Sequence, residues 1–131
     1  MKPISATGKR KSAIARATLT SGSGKVTVNK QSIDNYEPSI ARLRMKEPLI
    51  LAGTTISKID IDVTVQGGGF MGQTQAVRLA IAKALAEKYE KLKPVFLDYD
   101  RQLLVADVRR KEAKKPNTRG KARAKRQKSY R

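Results

Sequence analysis

Ile59-Asp60-Ile61-Asp62-Val63-Thr64-Val65 alternates strictly, with the aliphatic residues on one face and Asp60, Asp62 and Thr64 on the other. A period of two predicts a half-buried strand. Ala13 to Thr20 repeats the pattern with smaller residues: Ala13, Ala15, Ala17 and Leu19 stand opposite Arg16, Thr18 and Thr20. Ser21-Gly22-Ser23-Gly24 then leads into Lys25-Val26-Thr27-Val28, and the two runs are expected to pair as a hairpin. The period changes to about 3.6 residues between roughly Gln73 and Lys91, where Ala76, Val77, Ala80, Ile81, Ala84, Leu85 and Tyr89 form one apolar stripe. Arg78, Lys83, Glu87 and Lys88 fall elsewhere on that helix, and Pro94 lies just past its end. Pro38 and Pro48 break up the pattern between them, leaving one irregular helix near Ser39 to Lys46. A short leucine-rich segment follows the long helix. The layout is α+β.

Several loops resemble ligand sites. Gly67, Gly69 and Gly72 match G-x-G-x-x-G between a strand and a helix, the setting of a dinucleotide site. That site also needs a second parallel βαβ unit and an acidic residue ending its second strand, whereas Glu87 falls inside the predicted helix. A tight strand-to-helix turn with φ > 0 explains the glycines structurally. Glycine amides at a helix N-terminus also suit an anion, including an RNA phosphate. Gly22-Ser23-Gly24-Lys25 lacks the P-loop spacing and reads as a turn. Asp60 and Asp62 share a strand face without catalytic partners and are expected to be solvated or paired with arginine. Thr7-Gly8-Lys9-Arg10-Lys11-Ser12 sets three consecutive cations at a domain edge and leads into the strand carrying Arg16, so phosphate contact is the expected role.

Charge narrows the function further. Lys and Arg number 29 against 11 acidic residues among 131, for a net +18. A compact domain so charged repels itself, and a polyanion relieves that repulsion. From Arg109 to Arg131 there are twelve Lys/Arg and one acid, a net +11, leaving +7 for the preceding 108 residues. The last segment has no Leu, Ile, Val, Phe, Met or Trp, so it cannot offset its ordering entropy by burial. We expect a globular domain at 1–108 and an extended basic tail at 109–131, disordered when free. Fully extended, the tail reaches roughly 75 Å at about 3.3 Å per residue. With one aromatic, Tyr130, it suits phosphate neutralisation rather than base stacking.

Other classes fare poorly. No uninterrupted apolar run exceeds four residues, as at Leu49–Ala52, against the roughly 20 a spanning helix needs, so no membrane partner is expected. Met1-Lys2-Pro3-Ile4 lacks the apolar region of a secretory signal. Cysteine is absent, which removes disulfides and thiolate metal sites and fits a reducing interior. Histidine is absent too, taking away the usual general base and the commonest zinc ligand. No enzyme, cofactor or metal is expected. A chromatin protein with a basic tail is the rival that composition alone leaves standing.

Thr7-Gly-Lys-Arg-Lys-Ser-Ala-Ile-Ala-Arg16, Gly24-Lys-Val-Thr-Val-Asn29, Gly67-Gly-Gly-Phe-Met-Gly-Gln73 with the following helix, and the basic C-terminus together resemble the ribosomal protein S-nine family of the small subunit. Tyr99 to Arg110 and the ending Gln127-Lys-Ser-Tyr-Arg131 look like its archaeal and eukaryotic branch; bacterial members tend to end in Ser-Lys-Arg, and Tyr130 departs from them. The resemblance implies a two-layer β3-α-β-α domain, S-five domain-two-like, with a left-handed βαβ crossover against the right-handed default. It implies a place in the head of the small subunit, on cytoplasmic ribosomes beside neighbouring ribosomal proteins. Small-subunit rRNA would meet the body at Lys9, Arg10, Lys11, Arg16, Gly67, Gly68, Gly69 and Gln73. It would meet the tail at Arg109, Arg110, Lys111, Lys114, Lys115, Arg119, Lys121, Arg123, Lys125 and Arg126. Lys128, Tyr130 and above all Arg131 would reach the anticodon stem-loop of P-site tRNA.

Overall fold

The computed structural model describes residues 3–35 and 39–105. Among them the chain runs β1 (Ile4–Arg10), β2 (Ala13–Ser21), β3 (Val26–Val28), β4 (Gln31–Ser32), α1 (Ser39–Ala52), β5 (Ile59–Gln66), α2 (Phe70–Lys88) and α3 (Leu92–Tyr99), with 3-10 turns at Ile33–Asn35, Gly53–Lys58 and Arg101–Leu103. The strands form one sheet in the order β1-β2-β5-β3-β4, antiparallel except for the parallel pair β3 and β5. One face is buried: Ala13, Ala15, Ala17, Leu19, Val26, Val28, Ile59, Ile61, Val63 and Val65 all point into the core. The other face, with Thr7, Lys9, Arg16, Asp62 and Thr64, is exposed. The α+β expectation holds, with a mixed sheet and the helices against its inner face.

The hairpin expected between the second and third strands does not form. β5 lies between them, joined antiparallel to β2 and parallel to β3. The connection instead crosses the start of β5. Gly22 N–H donates to Lys58 O at 3.0 Å, Gly24 N–H to Ile59 O at 2.9 Å, and Ile61 N–H to Lys25 O at 2.9 Å. Asp60 fastens the crossing, its Oδ1 accepting the amides of Ser23 and Lys25 at 3.0 Å each. It is therefore neither merely solvated nor paired with arginine. Asp62 accepts the Thr27 hydroxyl at 2.9 Å from the neighbouring strand. Asn29 prolongs the β3–β5 ladder through its side chain, which accepts from Val65 N–H at 2.9 Å and donates to Val65 O at 3.2 Å.

β1 went unread in the sequence because its inward positions, Ile4, Ala6 and Gly8, are mostly small. Their smallness is what lets α2 lie so close. A Cβ at Gly8 falls 2.2 Å from Ala76 O and 2.7 Å from Ala80 N, inside the backbone of α2. Ala76, Ala80 and Ala84 on the helix and Ala13, Ala15 and Ala17 on β2 are all fully buried, so small side chains line both the helix and the sheet. Larger side chains close the far side of the core, including fully buried Met45, Leu85, Phe96 and Leu103. Removing such a side chain from water contributes roughly 1.5–3 kcal/mol.

The helices differ from expectation at their ends. α1 runs on to Ala52, through a buried Pro48, and stops before Gly53 at φ +66°, a left-handed C-terminal stop. α2 starts at Phe70 rather than Gln73, and the leucine-rich segment is a separate helix, α3. Pro94 occupies the first turn of α3, where its missing N–H has no intrahelical partner to lose. Arg78 also departs from the polar circumference assigned to it. It is buried at 7% exposure, its Nε donating to Glu47 Oε2 at 2.8 Å and its Nη2 to Asp100 Oδ2 at 3.0 Å. That network ties α1 and α2 to the end of α3.

Gly8→Ala should lower the unfolding free energy by about 1–3 kcal/mol, because the α2 backbone must retreat. A urea titration checks this; a midpoint equal to the wild type contradicts the close packing. Amide donation from Lys25 and then Ser23 holds the Asp60 carboxyl below its usual 3.8. A depressed carboxylate stabilises the fold above its unfolded pKa and loses that contribution as pH falls through the folded one. Asp60→Asn should therefore melt earlier than the wild type at pH 7, the gap closing as acid protonates Asp60. Thermal melts from pH 7 to pH 2 give the comparison.

Candidate nucleic-acid interface

Two body motifs, separated by more than fifty residues, meet in space. The β1–β2 register pairs Arg10 with Ala13, leaving Lys11-Ser12 as a two-residue turn. The glycine loop packs directly against that turn. A Cβ at Gly67 lies 2.4 Å from Ser12 O, and one at Gly68 lies 3.4 Å from Ser12 Oγ. Gly67 and Gly68 both have positive φ, at +79° and +67°, as expected for a tight strand-to-helix turn. Gly69 then adopts an extended conformation and caps α2 without a side chain. By helix geometry the next three amides have no intrahelical acceptor, and the helix dipole places partial positive charge there.

Each predicted body residue has a distinct position. Lys9 and Lys11 are exposed, Lys9 on the open sheet face and Lys11 at the hairpin tip. Arg16 is exposed on the same open face, opposite Thr7 on one side and Thr64 on the other. Arg10 is half-buried, its Nε donating to Gln75 Oε1 at 2.5 Å, which directs it toward α2. Gln73 works within the loop: its Nε2 donates to Gly67 O at 3.1 Å and its backbone N–H to Gly69 O at 2.9 Å. It fixes the shape of the glycine turn.

Lys9 and Arg10 also line a small cleft with Arg44, Gln75, Arg78, Leu79, Asp100 and Val105. Arg44, with 56% of its side chain exposed, brings a further exposed cation that sequence reading missed, since nothing in an irregular helix marks it as close to β1. Val105 is the last described residue. The tail cations Arg109, Arg110, Lys111, Lys114, Lys115, Arg119, Lys121, Arg123, Lys125, Arg126 and Lys128, with Tyr130 and Arg131, lie outside the described residues.

The G-x-G-x-x-G match has no dinucleotide framework behind it. β3 and β5 are the one parallel pair among the described residues, and Glu87 sits near the end of α2. No group of three or more His, Cys, Asp or Glu suited to a metal occurs among the described residues, nor a helix long and apolar enough to cross a membrane.

Residues 8–131 match the family model described as ribosomal protein S9/S16. The chain belongs to that family. Its relatives include the small ribosomal subunit protein uS9 of Methanococcus maripaludis strain C7 and that of Methanococcus vannielii, each 50% identical with both chains covered in full. These relatives are archaeal, in agreement with the branch that the C-terminal motifs suggested. The family is structural rather than enzymatic, which removes the nucleotide-dependent enzyme from consideration.

Lys11 carries φ +56° at the tip, a conformation that costs a non-glycine residue stability. Lys11→Gly should therefore raise the unfolding free energy, by up to about 1 kcal/mol, because glycine adopts this φ without strain. A destabilised variant in urea titration would show that Lys11 is unstrained.

Proposed function

We propose that this chain is a non-catalytic structural protein of the small ribosomal subunit head, holding small-subunit rRNA with its body and threading its tail through that RNA to P-site tRNA. The observation that carries the reading is the juxtaposition of the Lys9-Arg10-Lys11 hairpin with the glycine turn opening α2. Cations and backbone donors from distant parts of the sequence form one phosphate-sized surface, and full-length similarity to uS9 proteins supports rRNA as the anion. Lys9, Lys11 and Arg16 would contact phosphates directly. Gly67, Gly68 and Gly69 let the RNA backbone approach, and Gln73 holds them in place. The β3–α1–β5 connection takes the left-handed, S-five domain-two-like course the family implies.

The tail at 109–131 acts by counterion release. Its cations displace ions condensed on closely packed strands, and it orders only on assembly. Lys128, Tyr130 and Arg131 form the tRNA-facing end, with the Arg131 guanidinium on anticodon stem-loop phosphates. Its working place is the cytoplasmic ribosome, among neighbouring head proteins. Cosedimentation with small subunits, released only by high salt, tests the assignment. Competition favouring duplex DNA over head-domain rRNA would return the chromatin reading.

With about eight tail cations on single-strand-like phosphates, log affinity for the RNA should fall with log salt at a slope of about −5 to −6 from the tail alone. Deleting residues 109–131 should remove that part of the slope, and an unchanged slope in filter binding contradicts the tail's role. Deleting Arg131 alone should leave the melting temperature unchanged while weakening P-site tRNA binding by reconstituted subunits. Equal tRNA retention would overturn the assignment of Arg131.

A further inference from the structure

The start of α2 carries an apolar surface that phosphate binding does not use. Phe70 and Met71, its first two residues, are 53% and 41% exposed. The chain has two phenylalanines, and the other, Phe96, is wholly buried. A ring left in water forgoes the favourable transfer that burial gives, so a flat occupant laid on it would be stabilised. Its backbone is held firmly, because the buried Thr74 donates its hydroxyl to Phe70 O at 2.7 Å.

The surroundings indicate the occupant. The residues flanking Phe70 lie on the cationic hairpin tip: a Cβ at Gly72 falls 3.7 Å from Arg10 O, and one at Gly68 falls 3.4 Å from Ser12 Oγ. An exposed aromatic residue at the helix start that packs on the hairpin carrying the exposed Lys11, in a chain of net +18, complements a ligand that is both anionic and flat. A nucleotide has both properties. A base within a duplex is already stacked and cannot offer its face, so the ligand is an unpaired one.

We propose that Phe70, with Met71 beside it, is a stacking platform for an unpaired RNA base whose adjoining phosphate lies at the hairpin tip on Lys11. This rests on the RNA-binding reading above and adds to it a base contact made by the folded body. Stacking contributes to affinity without adding charge, so its signature differs from that of a phosphate contact. Loss of the ring should weaken single-strand binding roughly 5- to 150-fold and leave the salt slope unaltered.

The test uses the full chain. Phe70→Trp introduces the only tryptophan, whose fluorescence reports on stacking. Oligoadenylate should quench it, whereas inorganic polyphosphate of matched charge should bind without quenching. Phe70→Ala should fold with an unchanged melting temperature, bind oligoadenylate more weakly at the same salt slope, and bind polyphosphate as the wild type does. Equal responses to both polyanions, or no effect of Phe70→Ala on oligoadenylate binding, overturn the platform while leaving the rRNA reading intact. If Phe70→Ala binds RNA normally but loses its place in reconstituted subunits only when a neighbouring protein is present, the patch is a protein contact and the proposal fails. Failure of the wild type to bind either polyanion would sink the RNA-binding reading itself.

Discussion

The architecture depends on how closely α2 lies against β1. Gly8 is the point of approach, since any side chain there enters the helix backbone near Ala76 and Ala80. Around it, buried alanines line both the helix and β2. Large side chains would fill such an interface with more apolar area but at greater separation. Small ones bring the helix start alongside the β1–β2 turn, so that the glycine loop packs on Ser12. A sheet-to-helix packing decision thereby builds a surface for a polyanion. Arg78, bound to Glu47 and Asp100, joins the middle of α2 to α1 and to the end of α3.

Electrostatics and packing are divided along the chain. The first 108 residues carry only +7 of the +18 and contain the apolar positions a core needs. Within them, the cations of the candidate surface cluster at one turn and on the sheet face left open by the helices. Lys11 illustrates the compromise, occupying a left-handed conformation that glycine would adopt more easily. Strain of this kind persists where the surroundings fix the backbone and the side chain has another use.

Much of this was legible in the sequence. β2, β5 and α2 declared themselves through clean periods of two and 3.6, and the glycine turn through its setting between strand and helix. What escaped was non-local. Ser21 to Gly24 has the composition of a hairpin turn, and nothing in it reveals that β5, from nearly forty residues later, comes between its flanking strands. The decisive bonds, from Ser23 and Lys25 to Asp60, span 37 and 35 residues. Arg78 was misplaced for the same reason: an arginine among helical alanines looks solvent-facing until partners 31 and 22 residues away are brought beside it. β1 was hidden by its own function in packing, because glycine and alanine give a weak alternation. Of the candidate site, the residue types were readable, but their convergence was not.

The central claim is that the hairpin tip beside α2 meets rRNA in the assembled subunit. Acetylation of lysines in the free chain and in intact small subunits, mapped by mass spectrometry, tests it most directly. Lys9 and Lys11 should react readily in the free chain and be shielded in the subunit, regaining reactivity when nuclease removes the RNA. Lysines at 9 and 11 that react equally in both states would contradict the account.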